Sequence, residues 1–578
     1  MKRHLLAQLG LLALSIGGGA CSFEAPDSGA PYKSNTCSYS EECGADAECV
    51  GSMCVARSIE RSLRVILDVT PLQQLDGPAP VSVTLERIEV RNGSSNQQWT
   101  LPEPVRVRGQ IRNGDSVVDA DVTLTAKQAM PGLPPKIVMA TVAGTVAQDS
   151  TENDFEVWVG DEGAYTLRVQ PKDTSLPPIT EELEIIRGEP IRVDYAERDF
   201  QHTFDFSGEV EERPLVVRAF DVATGALISS TAEVVNKAAT LRFAVEPEQF
   251  RLVIRPAGAY DPEGLSNAEG CDHDTPVLPT FSINSGDIPF EDNAFQVQIP
   301  STPPRIPYSG RVELCDAPSI DGAMEPDRLP LTLRSTAVML DSPSGMWTAE
   351  VATDTQALRE GSTRNYAFCV DVFQGDYEVV VTPPESKPCE IFAQAHKIDT
   401  VTAPLLVMEG AAQLLGELRT ADLMPLAATT IDVQSLSRSI DLDADDAALT
   451  AFSRSRQTTT DATGAFSLPV DRGSYDVTIK PPAGSGYAWY VRRDVTIGSN
   501  GDFVNDIDMS SPVAVDCEIK SANGAALLGT EITAYAIVVG ADMVERAVAI
   551  GQAAADENGR FMLLLPTAIY EGWSSSGL

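Results

Sequence analysis

Histidine is almost absent from this chain. Its 578 residues include four, one of them His4, and the other three, His202, His273 and His396, lie far apart. Sites built on a histidine base or a histidine-rich metal shell have little to draw on. The Gly-x-Ser-x-Gly elbow, His-Glu-x-x-His, the phosphate loop and the dinucleotide fingerprint are all missing. Basic residues are scarce beside acidic ones, 43 against 83, for a formal charge of −40. Such a chain repels polyanions, which excludes nucleic acid as a partner, and any hold on a membrane must be lipidic rather than electrostatic. Aromatic residues make up 6%, so the cores rest on Val, Leu, Ile and Ala. Beyond the N-terminus the most apolar stretch, residues 532–555, is broken by Asp542, Glu545 and Arg546, so no transmembrane helix is expected. Two acidic clusters lack a ligand pattern. Cys271-Asp272-His273-Asp274 places adjacent residues on one short loop. Asp441-Leu-Asp443-Ala-Asp445-Asp446 lacks the Gly and the later Glu of a calcium loop. Both read as solvated loops, and no metal or cofactor is expected.

What the chain does have begins at its first residues. Met1-Lys2-Arg3-His4 is basic, residues 5–16 are mostly apolar, and Gly17-Gly18-Gly19-Ala20 precedes Cys21. A short apolar run ending in small residues reads as an export signal, too short to span a bilayer stably. The small-small-Cys ending resembles the lipobox of bacterial lipoproteins, although Gly18 stands where that family usually has Leu, Val or Ile. The resemblance implies acylation of Cys21, cleavage before it and a durable anchor of several acyl chains. Ser22, in place of the Asp that retains such proteins at the inner membrane, implies the outer membrane and cell surface. Cleavage after Ala20 without lipidation would instead give a periplasmic or secreted protein.

Ten cysteines follow the same logic of export. Cys37, Cys43, Cys49 and Cys54 fall within eighteen residues, too few to bury a core, so crosslinks are required. Zinc is disfavoured, since there is no Cys-x-x-Cys knuckle and no nearby histidine. Two disulfides are expected, in any of three connectivities, and the stretch resembles the small EGF-like knots that follow lipid anchors in secreted bacterial proteins. Five further cysteines remain. Cys369 with Cys389 is one expected pair, Cys271 with Cys315 a second, and Cys517 is the expected free thiol, buried as a small hydrophobe.

From Leu63 onward, apolar residues alternate with polar ones, as in half-buried strands. One phrase recurs: aromatic, polar, apolar, any, apolar, polar, proline. It occurs as Tyr165-Thr-Leu167-Arg-Val169-Gln-Pro171, Phe250-Arg-Leu252-Val-Ile254-Arg-Pro256, Tyr377-Glu-Val379-Val-Val381-Thr-Pro383 and Tyr475-Asp-Val477-Thr-Ile479-Lys-Pro481. A first copy has Val65 in place of the aromatic and ends at Pro71. Positions one, three and five should face a core, and the proline, which cannot donate to a ladder, should end the strand. Turn clusters such as Gly160-Asp-Glu-Gly163, Gly375-Asp376 and Asp471-Arg-Gly473-Ser precede three copies and predict hairpins. Opening strands are marked at Gly109, Gly208, Gly310 and Gly416, spaced by 99, 102 and 106 residues. A repeat of about one hundred residues is a whole sandwich domain.

Thr459-Thr-Asp461-Ala-Thr-Gly464-Ala-Phe466 and Ala555-Asp556-Glu-Asn-Gly559-Arg-Phe561 complete the pattern. Together with the opening Gly and the closing tyrosine strand, they resemble the carboxypeptidase-regulatory-like, or prealbumin-like, β-sandwich family. The resemblance implies an all-β chain of tandem Ig-like/prealbumin-like β-sandwich domains after a small disulfide knot. The expected division is a signal peptide at 1–20, a lipidated linker at 21–36, the Cys-rich EGF-like knot at 37–55 and a partial leading β unit at 60–104. Sandwiches follow at 105–200, 201–304 and 305–402, then the carboxypeptidase-regulatory-like β-sandwich at 403–510 and an incomplete one at 511–578. The last unit lacks its closing strand, which implies a truncated chain or a strand supplied by a partner. The expected function is a non-enzymatic, structural, adhesive or ligand-presenting surface lipoprotein with stiff modules projecting from the membrane. Its partner is an unknown protein or polysaccharide. Carbohydrate binding, with Tyr487, Trp489 and Tyr490 as stacking residues, and a hydrolase with an unrecognised acidic site are the alternatives.

Overall fold

A computed structural model describes residues 47–571, apart from 51–52, 57–62, 73–80, 91–96, 129, 144–153, 209–214, 257–277, 301–304, 317–327, 338–345, 351–355, 360–363, 400–402, 421, 437–452, 499–502, 505, 510 and 540–542. The described chain is built of β-strands packed as small two-sheet sandwiches.

The repeated phrase behaves as its alternation dictates. At position one, Tyr165, Phe250, Tyr377, Tyr475 and Val65 are all buried, and so are the apolar residues at positions three and five of every copy. Each such side chain contributes about 1.5–3 kcal/mol of burial, so the phrase is the inner lining of a core.

Five sandwiches share one wiring. In each, an opening strand is central in the first sheet: Val105–Asn113, Phe200–Gly208, Arg305–Glu313, Ala412–Arg419 and Val513–Lys520. It pairs antiparallel with the strand before the turn, namely Phe155–Val159, Ala238–Phe243, Asn365–Phe373, Ala465–Val470 and Arg560–Leu565. On its other side it pairs parallel with a short last strand. The second sheet holds the closing strand between a second strand and an outer strand, both antiparallel to it. The expected hairpins do not form: Phe155–Val159, Asn365–Phe373 and Ala465–Val470 join the first sheet, whereas the closing strands that follow them join the second, so each turn carries the chain from one sheet to the other. The turn that leads into the strand before the closing one is the same in two units. Asp461 accepts from the Thr463 and Ala465 N–H groups, and Asp556 from those of Asn558 and Arg560. Gly464 and Gly559 follow with φ of 78° and 73°. A Cβ on either would lie 2.4 or 2.5 Å from a carbonyl of the opening strand, so only glycine fits.

The structure corrects the division at both ends. The unit expected to be partial at 60–104 and the unit expected to be incomplete at 511–578 are two halves of one sandwich. Leu63–Thr70, the first copy of the closing phrase, pairs antiparallel with Glu531–Val539, where a closing strand belongs. Val83–Val90 is the outer strand, and Gln97–Thr100 pairs parallel with Val513–Lys520 as the last strand. One core joins them, with Val65, Leu67 and Val69 packed among Val515, Ile532, Leu563 and Leu565. The chain's own Leu63–Thr70 therefore supplies the missing strand. A smaller correction is that the last strand of the third sandwich, Leu405–Val407, falls beyond residue 402.

Sharing a sandwich between the two ends closes the chain on itself, so the expected projecting string is instead a ring. Thr231 N–H donates to the Thr174 carbonyl between the first and second sandwiches, at 2.8 Å. The second and third share one core, and Leu278–Asn284 pairs with Met346–Glu350 across their boundary. The fourth meets the shared sandwich where Tyr490–Ile497 pairs parallel with Tyr570–Glu571 and Val491 enters the shared core. The shared sandwich meets the first through Ile66, Met130, Leu133 and Ala547, with Ala547 N–H donating to the Pro131 carbonyl at 2.8 Å.

Candidate functional site

The most concentrated polar chemistry in the described residues lies between the third and fourth sandwiches. Asp471, in the turn before Gly473-Ser-Tyr475, has a fully buried side chain. Its Oδ2 accepts from the backbone N–H and Nε of Arg454, at 3.0 and 2.8 Å. Its Oδ1 accepts from Arg454 Nη2 at 2.6 Å and from the Ile391 N–H of the third sandwich at 3.0 Å. Arg454 Nη2 also donates to the Cys389 carbonyl at 3.0 Å. The turn itself is pinned by the Tyr475 hydroxyl, which donates to the Asp471 carbonyl at 2.8 Å, as the Tyr165 hydroxyl does to Asp161 in the first sandwich. Beside this pair, the buried Glu390 accepts from the Arg472 N–H at 2.6 Å and from its Nε at 2.9 Å. Burial pushes the Glu390 carboxyl above its ordinary range, against the pull of Arg472. Buried charges must be paired and hydrogen-bonded to be tolerated; here Glu390–Arg472 bridges the two sandwiches, while Asp471–Arg454 lies within the fourth and reaches the third through the Ile391 N–H and the Cys389 carbonyl. Asp471 is legible in the sequence only as a turn residue, because Arg454 is 17 residues away within the fourth sandwich and the Ile391 N–H comes from the third.

A disulfide braces the same segment. Cys315 and Cys389 are joined, with Cα atoms 5.6 Å apart. This corrects both expected pairs, Cys369–Cys389 and Cys271–Cys315. Cys369 sits opposite Ser309 in the first sheet, whereas Met408 bonds the Glu313 carbonyl and Gly410 bridges Cys389, which brings Cys315 and Cys389 to one end of the sandwich. Cys369 is itself disulfide-bonded, and Cys271 lies outside the described residues. Cys517 is free and buried, and burial pushes its thiol well up. In the Cys-rich segment a hairpin, Ala47–Val50 with Met53–Ala56, sets Cys49 and Cys54 at opposed register positions. Cys21, Cys37 and Cys43 lie outside the described residues, as do His273 and the Asp441 cluster.

The remaining candidates separate. His202 lies among Phe243, Phe250 and Phe295 with ring centroids 5.3–6.5 Å away, and burial lowers its pKa. His396, in the third sandwich, contacts the Tyr308 hydroxyl at 3.1 Å, and burial again lowers its pKa. The aromatics considered for sugar stacking are packed inward: Tyr487 is in the fourth core, Tyr490 packs against it, and Trp489 packs against the shared core. Two cavities lie between sandwiches. One of about 700 Å³ opens between the first and second, floored by Ile179, Leu227 and Ala244 with Glu246 and Glu248 exposed at its rim. One of about 370 Å³ lies between the shared and first sandwiches. There Asp161 accepts from Tyr165, Glu162 accepts from Arg187, and Lys136 Nζ sits 3.1 Å from Asp68. Burial lowers the Lys136 pKa, against the pull of Asp68. Among the described residues no three His, Cys, Asp or Glu side chains are placed to hold a metal ion. No helix among them is long and apolar enough to cross a membrane.

No family model and no curated protein matches the chain. Among solved structures it is similar to a streptococcal ancillary pilin, at 8% identity over 54% of this chain and 99% of that one, with a TM-score of 0.19. The major pilin subunit of Bacillus cereus is 10% identical over 71% of this chain and 99% of its own, at a TM-score of 0.14. The pilus adhesin of Lactobacillus rhamnosus GG, in its open conformation, is 10% identical over 78% of this chain and 56% of its own, at 0.16. Scores this low describe no common arrangement of the domains.

Proposed function

We propose that this chain is a non-enzymatic protein of the cell surface, anchored through an acylated Cys21, whose ring of sandwiches is a rigid frame presenting loops and sheet edges to a protein partner. The observation that carries the proposal is the junction chemistry. A frame closed by its own two ends, with the buried Glu390 paired to Arg472 across the junction of the third and fourth sandwiches, holds its surfaces in fixed relation. Pre-organised surfaces bind without a large ordering cost. The same charges do structural work there, joining two sandwiches.

Two measurements test the parts separately. Cys21→Ser should move the protein from the membrane fraction to the soluble fraction; unchanged partitioning refutes the anchor. Crosslinking on intact cells should capture protein neighbours of the wild-type chain. Retention on polysaccharide arrays with no captured protein would replace the protein partner with a glycan.

A further inference from the structure

We propose that the free edge of Phe392–Ile398, the outer strand of the third sandwich, pairs antiparallel with the same strand of a second copy, forming a two-fold dimer through a continuous sheet. The molecule already uses this edge. In the second sandwich the equivalent outer strand, Leu278–Asn284, accepts Met346–Glu350. In the fourth, Tyr490–Ile497 accepts Tyr570–Glu571. Three outer strands have no such added strand among the described residues: Ile179–Ile185, Val83–Val90 and Phe392–Ile398. Ile179–Ile185 carries Glu181, Glu182 and Glu184, and Val83–Val90 carries Glu86, Arg87 and Glu89. Carboxylates along an edge oppose its pairing with a second copy of itself. Phe392–Ile398 reads Phe-Ala-Gln-Ala-His-Lys-Ile, with one formal charge and no carboxylate, in a chain whose net charge is −40.

The occupant follows from parity. Phe392, Gln394, His396 and Ile398 share the face on which Ile398 lies in the core and Phe392 packs against it. Ala393, Ala395 and Lys397 share the other face. A two-fold pairing that keeps each face on its own side must have its axis on a residue, because a one-residue slip exchanges the faces. Centring it on Ala395 uses all seven residues. Phe392 then stands opposite Ile398, Gln394 opposite His396 and Ala393 opposite Lys397. Apolar meets apolar, an amide meets an imidazole, and the two lysines are kept apart. The surface is self-complementary, as an isologous interface requires.

The test uses the full-length chain. Light scattering behind gel filtration should give the mass of two chains. Ala395→Lys, at an exposed position, sets two lysines face to face at the axis and should give the mass of one, with an unchanged circular dichroism spectrum. Ala395→Cys should crosslink to a dimer under mild oxidation, since opposed antiparallel Cα atoms lie about 4.5–5.5 Å apart, within disulfide reach. Lys397→Cys should crosslink at least about tenfold more slowly, because it faces Ala393. A single-chain mass for the wild type overturns the proposal. So does equal crosslinking of the two cysteine variants, which would place the contact on another surface.

Discussion

Replacing Leu67 by Ala should unfold a region more than four hundred residues away in sequence. Leu67 is fully buried, and it lies opposite Ala534 in the shared sandwich, among Val515, Ile532 and Leu563. Truncating a buried Leu removes its transfer free energy and leaves a cavity, at a cost of about 2–5 kcal/mol. At about 1.4 kcal/mol per tenfold, opening of this sandwich should become roughly 30- to 4,000-fold more frequent. Hydrogen exchange read by mass spectrometry is the suitable assay, because a chain of five domains has no single unfolding transition. Peptides from Val513–Lys520 and Arg560–Leu565 should lose protection by that factor, together with Leu63–Thr70. Peptides from Gly473–Lys480 in the fourth sandwich, whose core is separate, should change far less. Unchanged exchange in Val513–Lys520, with loss confined to residues 63–100, would mean that the two ends fold independently, and the ring would be refuted.

Asp471→Ala strips a buried carboxylate from Arg454 and leaves its guanidinium uncompensated, so the junction of the third and fourth sandwiches should lose about 3–5 kcal/mol; limited proteolysis of residues 383–391 measures it, and a loss under about 1 kcal/mol contradicts the pairing. Gly559→Ala should destabilise by more than Gly524→Ala. Both have positive φ, but only Gly559 has a carbonyl 2.5 Å from the new Cβ, while Gly524 faces open space; equal shifts in hydrogen-exchange protection of the shared sandwich would disprove the close contact. Burial raises Glu390 above its ordinary value of 4.5, so the folded junction holds its proton more tightly than the unfolded chain does. Its contribution is therefore full below about 4.5 and declines as pH rises through the raised value. Glu390→Gln should flatten that slope in thermal unfolding followed across pH 4–7, and an identical slope in the variant would remove Glu390 as its source.

Alternation alone determined that this chain is all-β, which residues line its cores and where its strands stop. A side-chain period of two is local, and burying Leu167, Ile254, Val379, Ile479 and Leu67 on one face follows directly from it. The turns were equally local, since Asp461 and Asp556 bond to N–H groups within four residues of themselves. Both ends of the ring were also visible as separate signs: a closing phrase with no sandwich before it, and a last sandwich with no closing phrase. What joins them is a ladder of backbone hydrogen bonds between Leu63–Thr70 and Glu531–Val539. Backbone groups are the same in every residue, so no side chain names its partner strand. The tertiary structure alone decided that pairing. It also decided the exchange of Cys389 from Cys369 to Cys315, which depends on which sheet each strand joins. For Asp471 the sequence placed the turn, but its ion pair with Arg454 and the Ile391 N–H that the third sandwich adds were decided by the tertiary structure.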